Sequence, residues 1–394
     1  MHVMILGSRG IPAIHGGFET FAEDLSLYLV EKGHEVTVYC QVEGDGPIST
    51  DTWKGVRRVL IPAKDGPRGT IAFDWKGICH SSKQTGVVLT LGYNTALFNL
   101  LYRVRGVPCV MNMDGIEWHR QKWSWSRRQW LRLNEFLGAR IASHLVADHP
   151  AIKVHLSRHT NPDKITMIPY GAEVPVSIDL EQLAPYKLEP NGYYLVIARP
   201  EPENSILQMV KAYSRRTRRF PLVILGKFDA DSNAYHRSVK QAASSGVHFL
   251  GAIYDHTTVS ALRLYCRAYL HGHTVGGTNP SLVESLAAGN AVIAHQNKYN
   301  KWVAGSSAQY FDSEDSAAQI LDRIEEDPSV LPPMQMGSRK RYLEDFTQTK
   351  VLGTYEDLLL RFVGAEAGVE AKAESKAEAA QQPKPGAATI GHRY

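Results

Sequence analysis

Residues 2–40, "HVMILGSRGIPAIHGGFETFAEDLSLYLVEKGHEVTVYC", decide the fold. They start with a short apolar run, 2–7, which ends in glycine and is typical of a buried parallel strand. Residues 18–33 carry apolar side chains at helical spacing and close on Gly33, where a helix-ending glycine is expected. The stretch "HEVTVYC" is then a second strand. A strand, a helix and a strand in this order predict a right-handed βαβ unit and a parallel sheet.

The same alternation fills most of the chain and is interrupted by a proline-rich, irregular stretch at 175–192, which predicts a linker. We therefore predict two Rossmann-like, doubly wound α/β domains that face a central cleft, where the carboxyl ends of parallel strands bind ligands. The further predicted strands are 86–92, 108–115, 144–148, 193–199, 220–226, 247–251, 268–272, 290–295 and 308–311. The predicted boundaries are an N-terminal domain at 1–178, a C-terminal domain at 179–345, a C-terminal helix at 346–363 and a disordered Ala/Glu/Lys-rich tail at 364–394.

Length and composition set the class of protein. A chain of 394 residues favours two domains, and a net charge of +4 gives no argument for nucleic acid. The four cysteines lie far apart, which indicates neither a zinc site nor a disulfide framework and fits a reducing, cytoplasmic setting. No signal peptide and no apolar run of about 18 residues is found, so we expect a cytoplasmic protein that does not span a membrane.

Two glycine-containing segments follow the first strand. Gly7 and Gly10 do not form the dinucleotide fingerprint, because Arg9 stands where its second glycine belongs. Gly16 and Gly17 directly precede a predicted helix. Adjacent glycines let a backbone approach a phosphate, and the helix start supplies free N–H groups. The alternative is a tight turn without a ligand.

A second loop and helix, "HGHTVGGTNPSLVESLAAG" at 271–289, follow a strand of the second half. Asn279 is a good N-cap, and Pro280 suits the first helical position. The helical repeat places Val283, Leu286 and Ala287 on the core face, and Ser281, Glu284 and Ala288 on the opposite face.

Glu284 is the one carboxylate of this helix, and we expect it to have only small neighbours. A carboxylate can accept hydrogen bonds from the vicinal hydroxyls of a ribose. The preceding loop, at Gly276, Gly277 and Thr278, offers backbone N–H groups to a phosphate. Together these groups indicate a nucleotide site, whereas the alternative is a glutamate that only suits the helix dipole.

Charged side chains follow predicted strands in both halves. Arg199 and Lys227 end strands of the second half, where they can neutralise a departing diphosphate, unless each is a solvated loop cation. Asp114, Glu117 and His119 follow a strand of the first half. We expect them to project into the cleft and to orient an acceptor hydroxyl or act as a base. No aspartate pair of the metal-binding type stands in a strand-end loop, so no metal is expected.

Residues 120–133, "RQKWSWSRRQWLRL", interleave Trp123, Trp125 and Trp130 with lysine and arginine. This mixture suits an anionic membrane surface, which is the interpretation that we favour. The first alternative is an amphipathic helix whose tryptophans belong to the core. Stacking on RNA is the second, and we expect no nucleic-acid partner.

Three of these stretches resemble a known family. "GSRGIPAIHGGFETFAEDL", "DGIEWHRQKW" and "HGHTVGGTNPSLVESLA" are similar to segments of the retaining glycosyltransferases of family four, and more narrowly of a bacterial subgroup usually described as rhamnosyltransferases. The resemblance extends over about residues 1–362 and has the three segments in the family's order. It implies the GT-B fold, which consists of two Rossmann-like domains around a cleft.

The resemblance also implies roles for single residues of the second half. Glu284 matches the second of two family glutamates separated by seven residues and would hold the nucleotide ribose. The first of these glutamates falls at Gly276, so this chain lacks it. His273, or the backbone at 277–278, would contact the donor sugar instead.

The family's diphosphate-binding groups are matched in part. Arg199 matches the arginine of a cationic pair whose lysine falls at about Asn204, so the pair is broken and Lys227 is the candidate replacement. Gly16 and Gly17 match the glycine loop of the first domain, which faces the diphosphate.

These features predict a hexosyltransferase that acts with retention and without a metal. It would move a hexose or deoxyhexose, with rhamnose favoured, from a nucleoside diphosphate sugar to a saccharide acceptor. The acceptor would be lipid-linked, at the inner face of the cell membrane, in cell-surface polysaccharide biosynthesis. The donor is a substrate, so no cofactor is expected, and Asn279 and Ser281 complete the predicted donor site. The alternatives are a GT-B-fold sugar-nucleotide epimerase and a non-catalytic protein that binds nucleotide sugars.

Overall fold

A computed structural model describes residues 1–14, 16–120, 122–175 and 178–362. The tail predicted at 364–394 lies outside these ranges. Within them the chain forms two α/β units, each built on a mostly parallel sheet. None of the helices in the described ranges is long and apolar enough to cross a membrane.

The first unit has an eight-stranded sheet in the order β3-β4-β2-β1-β5-β6-β7-β8. All neighbouring strands are parallel except β3 and β4, which form an antiparallel edge hairpin. Its elements are β1 (His2–Leu6), α1 (Gly17–Glu31), β2 (Glu35–Val42), β3 (Ser49–Trp53), β4 (Val56–Pro62), α2 (Pro67–Ser81), β5 (Val87–Leu91), α3 (Leu100–Arg105), β6 (Cys109–Asn112), α4 (Trp125–Ile141), β7 (His144–Ala147), α5 (Pro150–Leu156) and β8 (Ile165–Met167).

The second unit has a six-stranded parallel sheet in the order β11-β10-β9-β12-β13-β14. Its elements are β9 (Tyr194–Ile197), α6 (Ile206–Ser214), β10 (Leu222–Leu225), α7 (Ala234–Ala242), β11 (Val247–Gly251), α8 (His256–Leu264), β12 (Ala268–His271), α9 (Pro280–Ala287), β13 (Val292–His295), α10 (Lys298–Ala304), β14 (Gln309–Phe311), α11 (Glu314–Glu326) and α12 (Leu331–Asp345). Short 3₁₀ turns connect several of these elements, at Ala96–Asn99, Glu117–His119, Pro162–Lys164, Leu180–Tyr186, Pro202–Asn204 and Pro328–Val330.

Each strand named in the sequence analysis is present, though most are shorter than predicted. The apolar run predicts the buried part of a strand, whereas the residues that flank it belong to loops. Arg199, for example, lies in the loop after β9. The β3–β4 hairpin was not predicted. Its first strand, "STDTW", is polar and mostly exposed, so it lacks an apolar run. Its turn places Lys54 (φ 47°) and Gly55 (φ 83°) in the left-handed region, as a tight hairpin requires.

The chain ends on the first unit rather than the second. Residues 348–362 are helical, and Val351, Tyr355 and Leu359 are buried in the core that also contains β1 and α1. The Asn112 side chain donates a hydrogen bond to the Tyr355 hydroxyl over 2.8 Å. The final helix is therefore an integral part of the first unit's core.

Two connections between the units run side by side. After β8 the chain leaves the first unit near Ala172, and after α12 it returns near Thr347; the two residues form a parallel bridge. The backbone N–H of Ala172 donates to the carbonyl of Phe346 over 3.0 Å, and that of Gln348 donates to the carbonyl of Ala172 over 3.1 Å. The Tyr342 hydroxyl also donates to the Ala172 carbonyl.

Two adjacent leucines of the last helix test its place in the core. Leu359 is 0% exposed and Leu360 is 43% exposed. We expect Leu359→Ala to lower the free energy of unfolding by about 2–5 kcal/mol, because it deletes buried methyl groups and leaves a cavity. Leu360→Ala is the matched control and should stay within about 0.5 kcal/mol of the parent. Denaturant unfolding of both variants measures this, and equal midpoints would contradict the assignment.

Candidate functional site

Loops from the two sheets meet at the carboxyl ends of β6, β7, β9 and β12. The backbone of Gly115, after β6, lies so close to the carbonyl of Gly276, after β12, that a Cβ on Gly115 would collide with it. Gly17, at the start of α1, lies against Pro280 at the start of α9, with 3.7 Å between an added Cβ and the proline ring. The N-termini of these two helices therefore face each other, as a site between two Rossmann-like units requires.

The loop that contains Gly277 and Thr278 contacts the first unit through Asp148. The backbone N–H of Thr278 donates to Asp148 Oδ2 over 2.7 Å, and its hydroxyl donates to the Asp148 carbonyl. Gly277 has a φ of 114°, and a Cβ there would lie 2.5 Å from Asp148 Oδ2. In this arrangement the Thr278 N–H is occupied by a carboxyl group and is not open to a phosphate. Sequence reasoning missed Asp148, although it ends a predicted strand.

Asp114 and Asp148 form a desolvated pair of carboxyl groups. Burial raises the pKa of both, and the proximity of Asp114 raises that of Asp148 further. Asp114 is held at a φ of 51°, and its N–H donates to the side-chain oxygen of Asn112 over 2.9 Å. Arg120 and Arg199 oppose the rise in the pKa of Asp114. The structure thus brings Asp114 and Arg199, from opposite units, within electrostatic range of each other.

Asn204, where the family's lysine would fall, links two predicted site residues. Its amide nitrogen donates to the Arg199 carbonyl over 2.7 Å, and its side-chain oxygen lies 2.7 Å from His273 Nδ1. Since the amide group donates to a carbonyl, its oxygen must face the histidine, so Nδ1 of His273 carries the hydrogen. Burial, then Arg120 and Arg199, lower the pKa of His273 to about 4. His273 is therefore neutral at pH 7.

Glu203, next to Asn204, is a buried acid that sequence reasoning missed. Its Oε1 lies 3.7 Å from Arg120 Nε, and its Oε2 has no hydrogen-bond partner within the described ranges. Its carbonyl accepts hydrogen bonds from the N–H and the hydroxyl of Thr274. Glu203 therefore joins the loop after β9 to that after β12 and pairs with the first unit.

Glu117 and His119 have different partners. The Glu117 carboxylate accepts from Trp123 Nε1 over 3.1 Å and pairs with Arg120 at 3.3 Å and Lys122 at 3.7 Å. His119 is exposed and stacks edge-on against Trp118, with 4.1 Å between ring centroids. Of the three groups expected to project into the cleft, Asp114 is within electrostatic range of Arg199. Glu117 is held in an ion-pair cluster, and His119 is exposed beside Trp118.

The expectation that Glu284 has only small neighbours is wrong. Its Oε2 forms an ion pair of 2.5 Å with Nη2 of Arg263, a buried residue of α8. Burial of the arginine holds the pair in one orientation, and the glutamate itself remains partly exposed. Arg263 could not be found from the sequence, because the residues around it show only the apolar spacing of a helix. The contact with Glu284 arises from the positions of α8 and α9 in the fold.

Other predicted residues of α9 have structural partners. The Asn279 side chain caps the helix by accepting from the N–H of Ser281 over 3.0 Å, as predicted. The Ser281 hydroxyl hydrogen-bonds to the Tyr269 hydroxyl over 2.7 Å, so it faces the sheet. The predicted core residues are buried, but Ala288, placed on the opposite face, is buried as well.

The glutamate that the resemblance implies at Gly276 would not fit there without rearrangement. A Cβ on this residue would lie 2.6 Å from the ring of Tyr299 on α10. Tyr299 itself packs edge-on against His149, with 5.1 Å between ring centroids. The tyrosine therefore fills the space where the missing acid would begin.

The remaining predicted donor groups lie at the edges of this region. Gly16 is the N-cap of α1 with a φ of 108°. Lys227 is exposed directly after Gly226, where a Cβ would lie 2.6 Å from the Ala198 carbonyl. Lys227 thus starts a loop beside the one that contains Arg199. Neither Arg199 nor Lys227 has an ion-pair partner within the described ranges.

Comparisons with known proteins agree with this architecture. A family described as "Domain of unknown function (DUF1972)" matches residues 1–173. The phosphatidyl-myo-inositol mannosyltransferase of Mycolicibacterium smegmatis is 30% identical over 204 residues, which are 48% of this chain and 51% of that protein. The chain thus matches about half the length of this curated relative.

Two solved structures are similar over almost their whole length. Sucrose-phosphate synthase from Thermosynechococcus elongatus has a TM-score of 0.77 at 16% identity, covering 92% of this chain and 99% of that one. Anabaena Alr3699/HepE in complex with UDP and glucose has a TM-score of 0.72 at 14% identity, covering 92% and 100%. At these identities the likeness concerns the fold. The chain therefore has the predicted GT-B fold, with two Rossmann-like domains.

The raised pKa values of the carboxyl pair make stability depend on pH. The unfolded carboxyls ionise near their ordinary pKa, whereas the folded ones retain their protons to higher pH, so folding loses stability as pH rises through neutrality. We expect Asp148→Asn, which still accepts from the Thr278 N–H, to flatten the fall in Tm between about pH 5 and pH 8. Asp65→Asn, at an exposed position, is the control. Parallel Tm–pH curves for Asp148→Asn and the parent would refute this account.

Proposed function

We propose that this protein is a retaining glycosyltransferase that uses a nucleoside diphosphate sugar. The observation that carries the proposal is the meeting of Arg199, neutral His273 and two facing helix N-termini at the carboxyl ends of strands, within a GT-B fold. The curated relative is named as a mannosyltransferase, and one similar structure contains UDP and glucose. These names support the reaction class, and the sugar is a separate part of the proposal.

The donor would lie between the units, with its ribose on Glu284. The ion pair with Arg263 holds the carboxylate in place, so that its second oxygen, Oε1, can accept from ribose hydroxyls. The diphosphate would lie at the helix start next to Gly16 and Gly17, near Arg199, with Lys227 at the edge. N–H groups and guanidinium donors favour the charge that develops on the leaving diphosphate.

The electrostatics of the two carboxyl groups suit an anionic donor. Ionised Asp114 and Asp148 would repel a diphosphate, but their raised pKa values keep protons on the pair to higher pH. Neutral His273 can contact the donor sugar without attracting the diphosphate to a second position. We propose front-face attack, with the diphosphate itself accepting the proton of the acceptor hydroxyl, so the reaction uses no protein nucleophile and no metal at the donor. Asp114 would orient the acceptor.

We favour rhamnose as the transferred sugar, because the three motifs are similar to the rhamnosyltransferase-like subgroup. Tyr299 against Gly276 supports a donor pocket that differs from the wider family's, since the residue that would contact the sugar is absent. The acceptor would be a lipid-linked saccharide in cell-surface polysaccharide biosynthesis, reached from the cytoplasmic face of the membrane.

A thermal-shift panel of dTDP-rhamnose, UDP-sugars and GDP-sugars, followed by transfer assays, tests the function. We expect Glu284→Ala to weaken binding of the best nucleotide sugar by about 10- to 100-fold, because it removes charged hydrogen bonds to the ribose. The control is Glu314→Ala, since Glu314 is a similarly exposed first-turn glutamate of α11 that pairs with Lys211.

Three results would contradict parts of this proposal. Unchanged affinity in Glu284→Ala would exclude the ribose assignment. Conversion of the sugar nucleotide in the absence of any acceptor would identify an epimerase instead. Binding without turnover over a range of saccharide acceptors would favour a nucleotide-sugar-binding protein.

The membrane surface is the second part of the proposal. Trp123 is less available for it, because it is partly buried against a core cluster of the first unit and its ring is covered by Lys122 and Arg127. Trp125 and Trp130 are 76% and 40% exposed on α4, and Leu133 and Phe136 continue the apolar face. The indole N–H of Trp130 donates to the Asn94 carbonyl over 3.0 Å, so the surface extends towards the turn that precedes α3.

Basic residues surround this apolar face. The Arg140 guanidinium stacks on the Phe136 ring at 3.6 Å, and Arg127 and Arg132 lie on the same helix. On α2, Trp75 is exposed and contacts Phe98, with 5.3 Å between ring centroids. Exposed tryptophans among arginines are typical of a peripheral contact with anionic lipid.

Flotation with anionic liposomes tests this surface. We expect Trp125→Ala/Trp130→Ala to reduce the bound fraction at least about tenfold, since burying one large apolar side chain contributes about 1.5–3 kcal/mol. Met336→Ala/Leu343→Ala, which removes two exposed apolar side chains of α12, is the control. Equal flotation of the tryptophan variant and the parent would exclude this surface.

A further inference from the structure

Three potential metal ligands, none of them part of the proposed donor site, converge beside the loop that follows β6. Glu135 is buried on α4, His155 lies near the end of α5, and His159 lies in the turn after it. One ligand atom from each residue lies within 4.8 Å of the others. These three residues form no continuous motif in the sequence, because they come from a helix, a second helix and the turn after it.

The separations suit one small cation. His155 Nε2 lies 2.7 Å from Glu135 Oε1, and His159 Nε2 lies 3.7 Å from the same oxygen. Ligands bound to Zn²⁺ at about 2.0–2.1 Å in a tetrahedron are about 3.4 Å apart. The two observed separations lie on either side of this value, so small side-chain rotations would place all three atoms around one ion.

Trp118 orients the carboxylate of Glu135 by a hydrogen bond. The indole N–H of Trp118 donates to Glu135 Oε2 over 2.9 Å and leaves Oε1 for the histidines. Carboxylate ligands of metals are commonly held in this way by an outer hydrogen bond. Both histidines are partly exposed, so an ion and a water molecule as fourth ligand can reach the site from solvent.

We propose that Glu135, His155 and His159 form a binding site for a divalent transition metal, with Zn²⁺ as the preferred ion. Two imidazoles and one carboxylate are a ligand set that zinc accepts, with water in the fourth position. For His155 to bind the ion through Nε2, the hydrogen that faces Glu135 would move to Nδ1. The ion would join α4 to the turn after α5, and through Trp118 it would fix the loop that contains Asp114 and Glu117. Metal binding by these three residues does not require that the proposed transferase function be correct.

Metal titration of the full-length protein tests the site. We expect isothermal titration with Zn²⁺ to show one site, and Co²⁺ to give the visible absorption of a four-coordinate ion. His159→Ala, at a partly exposed position, should fold normally and lose both signals. Trp118→Phe keeps the ring but removes the hydrogen bond to Glu135, and it should weaken binding by about 10- to 100-fold.

His248→Ala is the matched control, since His248 is an exposed histidine of β11, and it should bind as the parent does. Two results would overturn the proposal: no Zn²⁺ binding by the parent at micromolar concentrations, or binding that His159→Ala leaves unchanged. The second result would place the metal on other histidines of the chain. The first would leave His155 and Glu135 as a hydrogen-bonded pair only.

Discussion

The organisation of this molecule depends on one contact across the cleft, in which Asp148 of the first unit accepts the backbone N–H of Thr278 of the second. The contact needs a residue without a side chain at Gly277, because a Cβ there would meet the same carboxyl. Burial at this position raises the pKa of Asp148 and the nearby Asp114 carboxyl raises it further, whereas the hydrogen bond from the Thr278 N–H lowers it. The same carboxyl therefore joins the two units and carries a pKa that its buried position raises.

The fold was predictable because buried parallel strands are short apolar runs, and helices between them show a clear period of apolar residues. The exceptions follow the same physics. Strand β3 at the sheet edge is polar and mostly exposed, and β8 has only three residues, so neither has a recognisable pattern. The return of the final helix to the first core was not predictable, because a helical period does not specify which core the helix joins.

The position of a candidate site residue was predictable where it ends a strand or starts a helix, as for Arg199 and Asn279. What the sequence did not reveal are partners chosen by three-dimensional packing. Arg263 meets Glu284 because two neighbouring helices bring them together, and Asn204 meets His273 because β9 and β12 are adjacent in the sheet. The sequence shows that Gly276 stands where the resemblance implies a glutamate. It does not show that the ring of Tyr299 occupies the space beside Gly276.

The two connections near Ala172 and Thr347 have a mechanical consequence. A single linker would let the two units rotate about several axes. Two chain segments that are hydrogen-bonded side by side instead form a hinge with one axis. Relative movement is then restricted to rotation about that line, so the loops at the opposite end of the cleft travel furthest. Arg199 and Asp114 would approach and separate along one arc. Each closure would then return them to the same relative position.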